Sequence, residues 1–115
     1  MWILVFFDLP TMTKAQRRAA TDFREMLLGT GFSRVQFSVY ARWCVTDKTT
    51  ESVIRRVTRA MPGDGLVRIL KLTDDRWARS VCLVGKNAVQ AEGKPPQLVL
   101  FPSSASLKQP ANRAV

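Results

Sequence analysis

The chain has no histidine and only two cysteines. The first absence removes Ser-His and Cys-His nucleophile pairs, histidine-ligated zinc and the usual general base near neutral pH. Any hydrolysis would have to rely on carboxylates, a metal-bound hydroxide or the substrate itself. Cys44 and Cys82 stand alone in apolar stretches without metal-ligand spacing, and read as buried thiols of a reduced cytosol. Long hydrophobic runs are also missing: Trp2–Phe7 is far too short to span a bilayer. That segment has no leading basic region and no small-residue cleavage site, so it does not read as a signal peptide. A cytoplasmic protein with no membrane partner is expected. Acid is scarce, with nine Asp and Glu against eighteen Lys and Arg, for a formal net charge of +9. An excess of that size, with no low-complexity run behind it, points to a polyanionic partner such as nucleic acid rather than a merely solvated face.

What is present suits one small domain. A chain of 115 residues buries roughly two-thirds of its unfolded surface, enough for a single core. "WILVFFD", Trp2–Asp8, reads as a buried strand stopped by Leu9-Pro10. In "TKAQ", Thr13 is placed as a helix N-cap with Gln16 reaching back, a capping box. From Lys14 to about Leu28, Ala19, Ala20, Phe23, Met26 and Leu27 share one helical face, and Gly29 and Gly31 close the helix. Phe32–Val45 reads as one long strand with a bend or bulge near Arg34–Gln36. Asp47–Thr50 reads as a loop and cap. A second helix follows from about Glu51 to Met61, with Val53, Ile54, Val57 and Ala60 inward. Gly65–Leu72 is expected to be a third strand, Thr73 to cap a short helix, and Ser80–Gly85 to be a fourth strand.

The expected fold is therefore α+β: a ferredoxin-like βαββαβ sandwich with an antiparallel sheet, in which the bent Phe32–Val45 segment counts twice. Residues 1–85 form the domain in this reading. Residues 86–101 form a polar linker and a last strand, Gln97–Phe101, and residues 102–115 a disordered tail. An isolated strand after a proline-marked linker pairs with an edge of its own sheet or crosses to another chain.

Several motifs together carry a family resemblance. "FFDLPTMTKAQRRAATDFREMLLGTGFSRVQFSVYARW", Phe6–Trp43, resembles the CRISPR-associated protein-two family, the small non-integrase subunit of the spacer-acquisition machinery, whose members are also described as CRISPR-associated endoribonucleases. "LT…RWARS…LVG", Leu72–Gly85, fits the same pattern, and the resemblance reaches to about Phe101. "DLPT" followed by "QFSVY" is most similar to the version accompanying type II systems. The resemblance implies a symmetric homodimer whose C-terminal strand docks on the partner sheet. It implies that Asp8, ending the first strand near the two-fold axis, is the catalytic and metal-binding residue. A divalent cation, usually Mg2+, would be held between the two Asp8 of the dimer. It also implies metal-dependent cleavage of RNA or DNA, partnership with the CRISPR-associated integrase, and binding of duplex spacer DNA, a task for which the nuclease is dispensable.

The residues leave Asp8 open to two readings. Asp before Leu-Pro is ordinary turn chemistry, whereas magnesium needs about six oxygen ligands, more than one aspartate supplies. Two facing aspartates, with waters or phosphates, would come closer, and a bound metal would acidify a water. Ser38, beside Tyr40, is the polar residue expected to support the Asp8 site, and Tyr40 and Trp43 read as packing residues. For nucleic-acid contact, Arg17, Arg18 and Arg42 stand first among the basic residues. Arg55, Arg56 and Arg59 lie on the second helix, and Arg68, Lys71, Arg76 and Arg79 lie on the later strands and the short helix. A competing reading comes from "GFSRVQF", which faintly echoes the motif of ferredoxin-like RNA-recognition modules that bind without catalysis. Thr30 replaces the basic residue there, and Arg34 stands where an aromatic belongs.

Overall fold

A computed structural model describes residues 1–95. Strand β1 (Trp2–Asp8) leads into helix α1 (Lys14–Gly29), then strands β2 (Ser33–Gln36) and β3 (Val39–Trp43). Helix α2 (Asp47–Arg59), strand β4 (Leu66–Leu72) and the short helix α3 (Asp74–Ala78) follow, and strands β5 (Cys82–Val84) and β6 (Asn87–Val89) end the described chain. The main sheet runs β2-β3-β1-β4 with every neighbouring pair antiparallel. With α1 and α2 as the two crossovers, this is the ferredoxin-like arrangement.

Local sequence explains the helices. Thr13 caps α1 by accepting from the Gln16 backbone, and the Gln16 side chain returns to the Thr13 backbone N–H at 3.0 Å. Ala20, Phe23 and Leu27 form its buried stripe. Thr46 caps α2, so this helix starts at Asp47 and the stretch expected to be loop is its first turn. Thr50 is tolerated in the core because its hydroxyl donates to the Thr46 carbonyl at 3.0 Å.

Three expectations about strands need correction. Phe32–Val45 is a hairpin, not one bent strand: the chain reverses at Phe37-Ser38, where Ser38 takes φ 61°. The expected irregularity is there as well, as a register shift between Arg34 and Gln36. The segment Ser80–Gly85 does not join the main sheet, whose four strands are β2, β3, β1 and β4. Its Cys82–Val84 core pairs instead with Asn87–Val89, inside the stretch taken for a linker. The proposed strand Gln97–Phe101 and the tail 102–115 lie outside the described residues.

Strand β1 is apolar from Trp2 to Phe7 because one of its faces is covered throughout and the other over most of its length. Ile3, Val5 and Phe7 face the α1 and α2 side, packing with Phe23, Leu27, Tyr40, Val53 and Val57. Phe7 meets Phe23 edge-on at 5.3 Å between ring centroids, a geometry worth about 1 kcal/mol beyond area burial. On the other face, Trp2 and Leu4 pack with Ala41 and Trp77 of α3. Trp2 and Trp77 stack at 5.2 Å, and the Trp77 indole N–H donates to the Glu92 carbonyl at 2.8 Å. The segment after β6 thus returns to the fold, with Ala91 packed against the same cluster.

Asp74 ties this second face together. Its carboxylate accepts from the Met1 amine at 2.6 Å and the Trp43 indole at 3.0 Å, and pairs with Lys94 at 3.0 Å. The Met1 amine, foremost, and then Lys94 lower its pKa from 3.8 to about 2. The folded state therefore holds this carboxylate charged where the unfolded chain would protonate it. The stabilisation is full above roughly pH 4 and is lost as pH falls through about 2. Acid unfolding of Asp74→Asn should accordingly lack part of the wild-type fall in midpoint between pH 4 and pH 2. Denaturant titrations at a series of pH values check this; parallel curves for the two proteins would refute it.

Candidate functional site

Strand alternation and register position the site. Side chains along β1 alternate, so Asp8 falls on the side of Phe6, Leu4 and Trp2, away from α1 and α2. Across the β1–β4 ladder, Asp8 pairs with Leu66, Phe6 with Arg68 and Leu4 with Leu70. Trp77 covers the Trp2 end of this face, whereas the Asp8 end stays open: Leu66, opposite Asp8, is 59% exposed, and Leu70, further along β4, is 43% exposed. The Asp8 carboxylate is exposed and has no hydrogen-bond or ion-pair partner among the described residues. It is an acid at the rim of an uncovered apolar sheet face.

The backbone around Asp8 is held firmly. Its neighbour Phe7 donates its N–H to the Ser38 carbonyl at 3.1 Å, which places the β2–β3 turn beside the end of β1. Ser38 therefore does neighbour the Asp8 site, through its backbone. On the other side Gly65 packs against the Asp8–Pro10 turn. A Cβ at residue 65 would lie 2.8 Å from the Asp8 carbonyl oxygen and 2.7 Å from a Leu9 methyl, at φ 102°. Gly65 is the site residue that sequence reasoning missed; Arg68 was named there among the basic residues but not connected with Asp8. "GDGL" just before a strand was the available signal for Gly65. Nothing local marks Arg68, which comes one diagonal step from Asp8 only through strand register.

The basic residues chosen for nucleic-acid contact do not converge on Asp8. Arg17 and Arg18 lie exposed on α1, and one Arg17 nitrogen donates to the Thr11 and Met12 carbonyls, both at 3.2 Å, bracing the loop that follows Asp8. Arg42 lies on the helix side of β3 and donates to the Thr30 carbonyl at 2.9 Å. Tyr40 is buried on the helix side, and Trp43 has Lys94 over its ring. Neither aromatic offers a free stacking face, and "GFSRVQF" falls on an edge strand, not a central one.

For a divalent metal, one chain is too sparse. No group of three or more Cys, Asp or Glu that could hold an ion occurs among the described residues. Asp8 supplies hard carboxylate oxygen of the kind magnesium takes, but only from one residue. No helix of the described residues is long and apolar enough to cross a membrane.

The family profile described as "CRISPR associated protein Cas2" matches residues 1–80, which include the whole main sheet and Asp8. The chain belongs to the Cas2 family. It is 43% identical over 101 residues to a CRISPR-associated endoribonuclease Cas2 of Paracidovorax avenae, covering 88% of this chain and 94% of that one. A Cas2 endoribonuclease of Rhodospirillum rubrum is 46% identical over 94 residues, covering 76% and 84% of the two chains. The fold is also similar to Streptococcus pyogenes Cas2, solved as a crystal structure at pH 6.5. That comparison has a TM-score of 0.58 and 28% identity, over 74% of this chain and 100% of that one. The Cas2 family match and the observed antiparallel sheet agree on the fold.

The close approach at Gly65 yields a direct test. Gly65→Ala must strain a positive φ and displace the Asp8 carbonyl, a loss on the order of 2 kcal/mol, or roughly 10 °C in melting temperature. Gly63→Ala, with nothing within 4 Å of its Cβ, should melt close to wild type. Thermal unfolding followed by circular dichroism compares them, and equal melting temperatures would show that the approach imposes no constraint.

Proposed function

We propose that this chain acts in CRISPR adaptation as a homodimer that bridges the integrase and holds duplex spacer DNA. Magnesium-dependent phosphodiester cleavage at Asp8 is an accompanying activity that the biological role does not require. The observation that carries the reading is the Asp8 carboxylate, unpartnered among the described residues, at the edge of an open sheet face where exposed Leu66 and Leu70 flank Arg68. Exposed apolar sheet surface favours burial against a partner, and a second copy of the same face is self-complementary. A two-fold axis there would bring two Asp8 carboxylates together. Their mutual repulsion favours a cation between them, with waters and substrate phosphate oxygens completing its shell.

The metal, when bound, would acidify a water and so supply the nucleophile that a histidine-free chain lacks. This chain's own residues hold the acid in place: Ser38 and Gly65 fix the backbone on its two sides. The net charge of +9, doubled in a dimer, supplies a salt-sensitive attraction for duplex phosphates, with Arg17, Arg18 and Arg42 as contacts. Curated relatives are named as endoribonucleases, which supports the nuclease component and leaves RNA as a substrate beside DNA. Within the family we assign the chain to type II systems on Asp8–Thr11 and Gln36–Tyr40, and place it in the cytoplasm. A type II effector gene adjoining its own gene would support that assignment; a different effector there would contradict it.

Asp8→Ala should lower magnesium-dependent cleavage by on the order of a hundredfold or more, since a lost metal contact is worth several kcal/mol at the transition state. Spacer integration with the cognate integrase should persist in the same variant. If integration collapses while the dimer stays intact, the adaptor role is wrong. Leu66→Glu/Leu70→Glu should yield a folded monomer by light scattering, because the buried face would then carry unpaired charge. A variant that remains dimeric would place the interface elsewhere.

A further inference from the structure

The strongest feature outside the Asp8 site is a cavity of ≈ 470 Å³ on the helix side of the sheet, between the end of α1, β3 and the first half of α2. Its lining includes Arg42, Lys48 and Arg56 together with Thr49 and Ser52, and no carboxylate and no aromatic ring. Lys48, Ser52 and Arg56 are spaced i, i+4, i+8 on α2, so cation, hydroxyl and cation stand in line on one helical face. Arg42 approaches from β3 and completes a third side.

These charges are arranged for an anion. None of the three cations carries an ion pair among the described residues. Like charges gathered round one cavity repel, and a bound anion relieves that repulsion. The Arg42 guanidinium is already seated: it donates to the Thr30 carbonyl at 2.9 Å and lies against Gly31, where a Cβ would come within 3.3 Å of its Nε. Its remaining N–H donors are thus pre-positioned, which lowers the ordering cost of binding. The first turn of α2 is capped by Thr46, so the case rests on the side chains and the cavity.

We infer that this cavity binds a phosphomonoester dianion. Three cations suit its charge of nearly −2 at neutral pH better than the single charge of an internal phosphodiester. The volume lies in the range of small-ligand sites, enough for a phosphate with its sugar, and the lack of an aromatic ring leaves the base unread. The phosphate can come from the terminus of an oligonucleotide or from a free nucleotide. The site lies on the opposite side of the sheet from Asp8 and shares only Arg42 with the duplex contacts proposed above, so it rests on Lys48 and Arg56 rather than on that reading.

Calorimetry on the full chain, with inorganic phosphate, adenosine 5′-monophosphate and adenosine as probes at constant ionic strength, tests it. Phosphate and the nucleotide should bind and adenosine should not. Lys48→Gln/Arg56→Gln should weaken both by about tenfold or more, as expected for lost charge-assisted hydrogen bonds. Arg55→Gln/Arg59→Gln removes the same charge from α2 outside the cavity and should leave both within about twofold. A labelled oligonucleotide with and without a 5′-phosphate identifies the source: tighter binding of the phosphorylated strand assigns a nucleic-acid end, and equal binding assigns the free nucleotide. No binding beyond chloride, or equal weakening by the two double variants, overturns the site. A wild-type protein that binds duplex but not phosphate would refute this inference alone, whereas one that binds phosphate but not duplex would refute the adaptor role alone.

Discussion

Strand β1 lies between β3 and β4 and carries apolar side chains on both faces, so neither face of the sheet can be left to water along its length. The α1–α2 layer meets the demand on the Ile3, Val5 and Phe7 side. On the other side, among the described residues, α3 and the segment beyond β6 close over the Trp2 and Leu4 end, Phe6 is half-buried, and Asp8 is left exposed. The uncovered end is where the only carboxylate of β1 stands. Fold and site are therefore coupled: the shortfall in covering that leaves Leu66 and Leu70 exposed also leaves Asp8 in a position to meet a second copy of itself.

This arrangement gives the missing histidines a structural counterpart. A chain without imidazole and with one site carboxylate has little catalytic capacity alone. Symmetry can double the carboxylate without any change in sequence, and a cation between the two copies would offset their repulsion. The Asp74 cluster serves a different purpose on the same face. There the carboxylate is fully engaged with an amine, an indole and a lysine, and its pKa falls accordingly. Asp8 has none of these partners. Two acids on one face thus differ in setting, because among the described residues one is paired and the other is not.

Much of the fold was legible because its signals are local. The capping box at Thr13 and Gln16, the Ala20-Phe23-Leu27 stripe and the apolar run of β1 each follow from neighbours within one or two turns. The hairpin at Phe37-Ser38 was not legible, since it lacks Gly, Asn or Pro and Ser38 adopts a positive φ that few serines take. Strand β6 was also hidden: Asn87-Ala88-Val89 is only three residues long within a polar stretch, and pairing with Cys82–Val84 makes it a strand. At the site, Asp8 was visible as the end of a strand. Arg68 and Gly65 became neighbours only through the β1–β4 register, which links segments far apart in sequence. Arg42 shows the same limit, since its part in a cavity with Lys48 and Arg56 depends on how α2 packs over β3.

The pairing of two Asp8 residues is most directly tested by counting ions. Electron paramagnetic resonance of the full-length protein titrated with Mn2+, a spectroscopic stand-in for Mg2+, gives the number bound per chain. Two facing carboxylates predict one ion per two chains, lost in Asp8→Asn while the protein remains dimeric. One ion per chain, or binding that survives Asp8→Asn, would contradict a shared site.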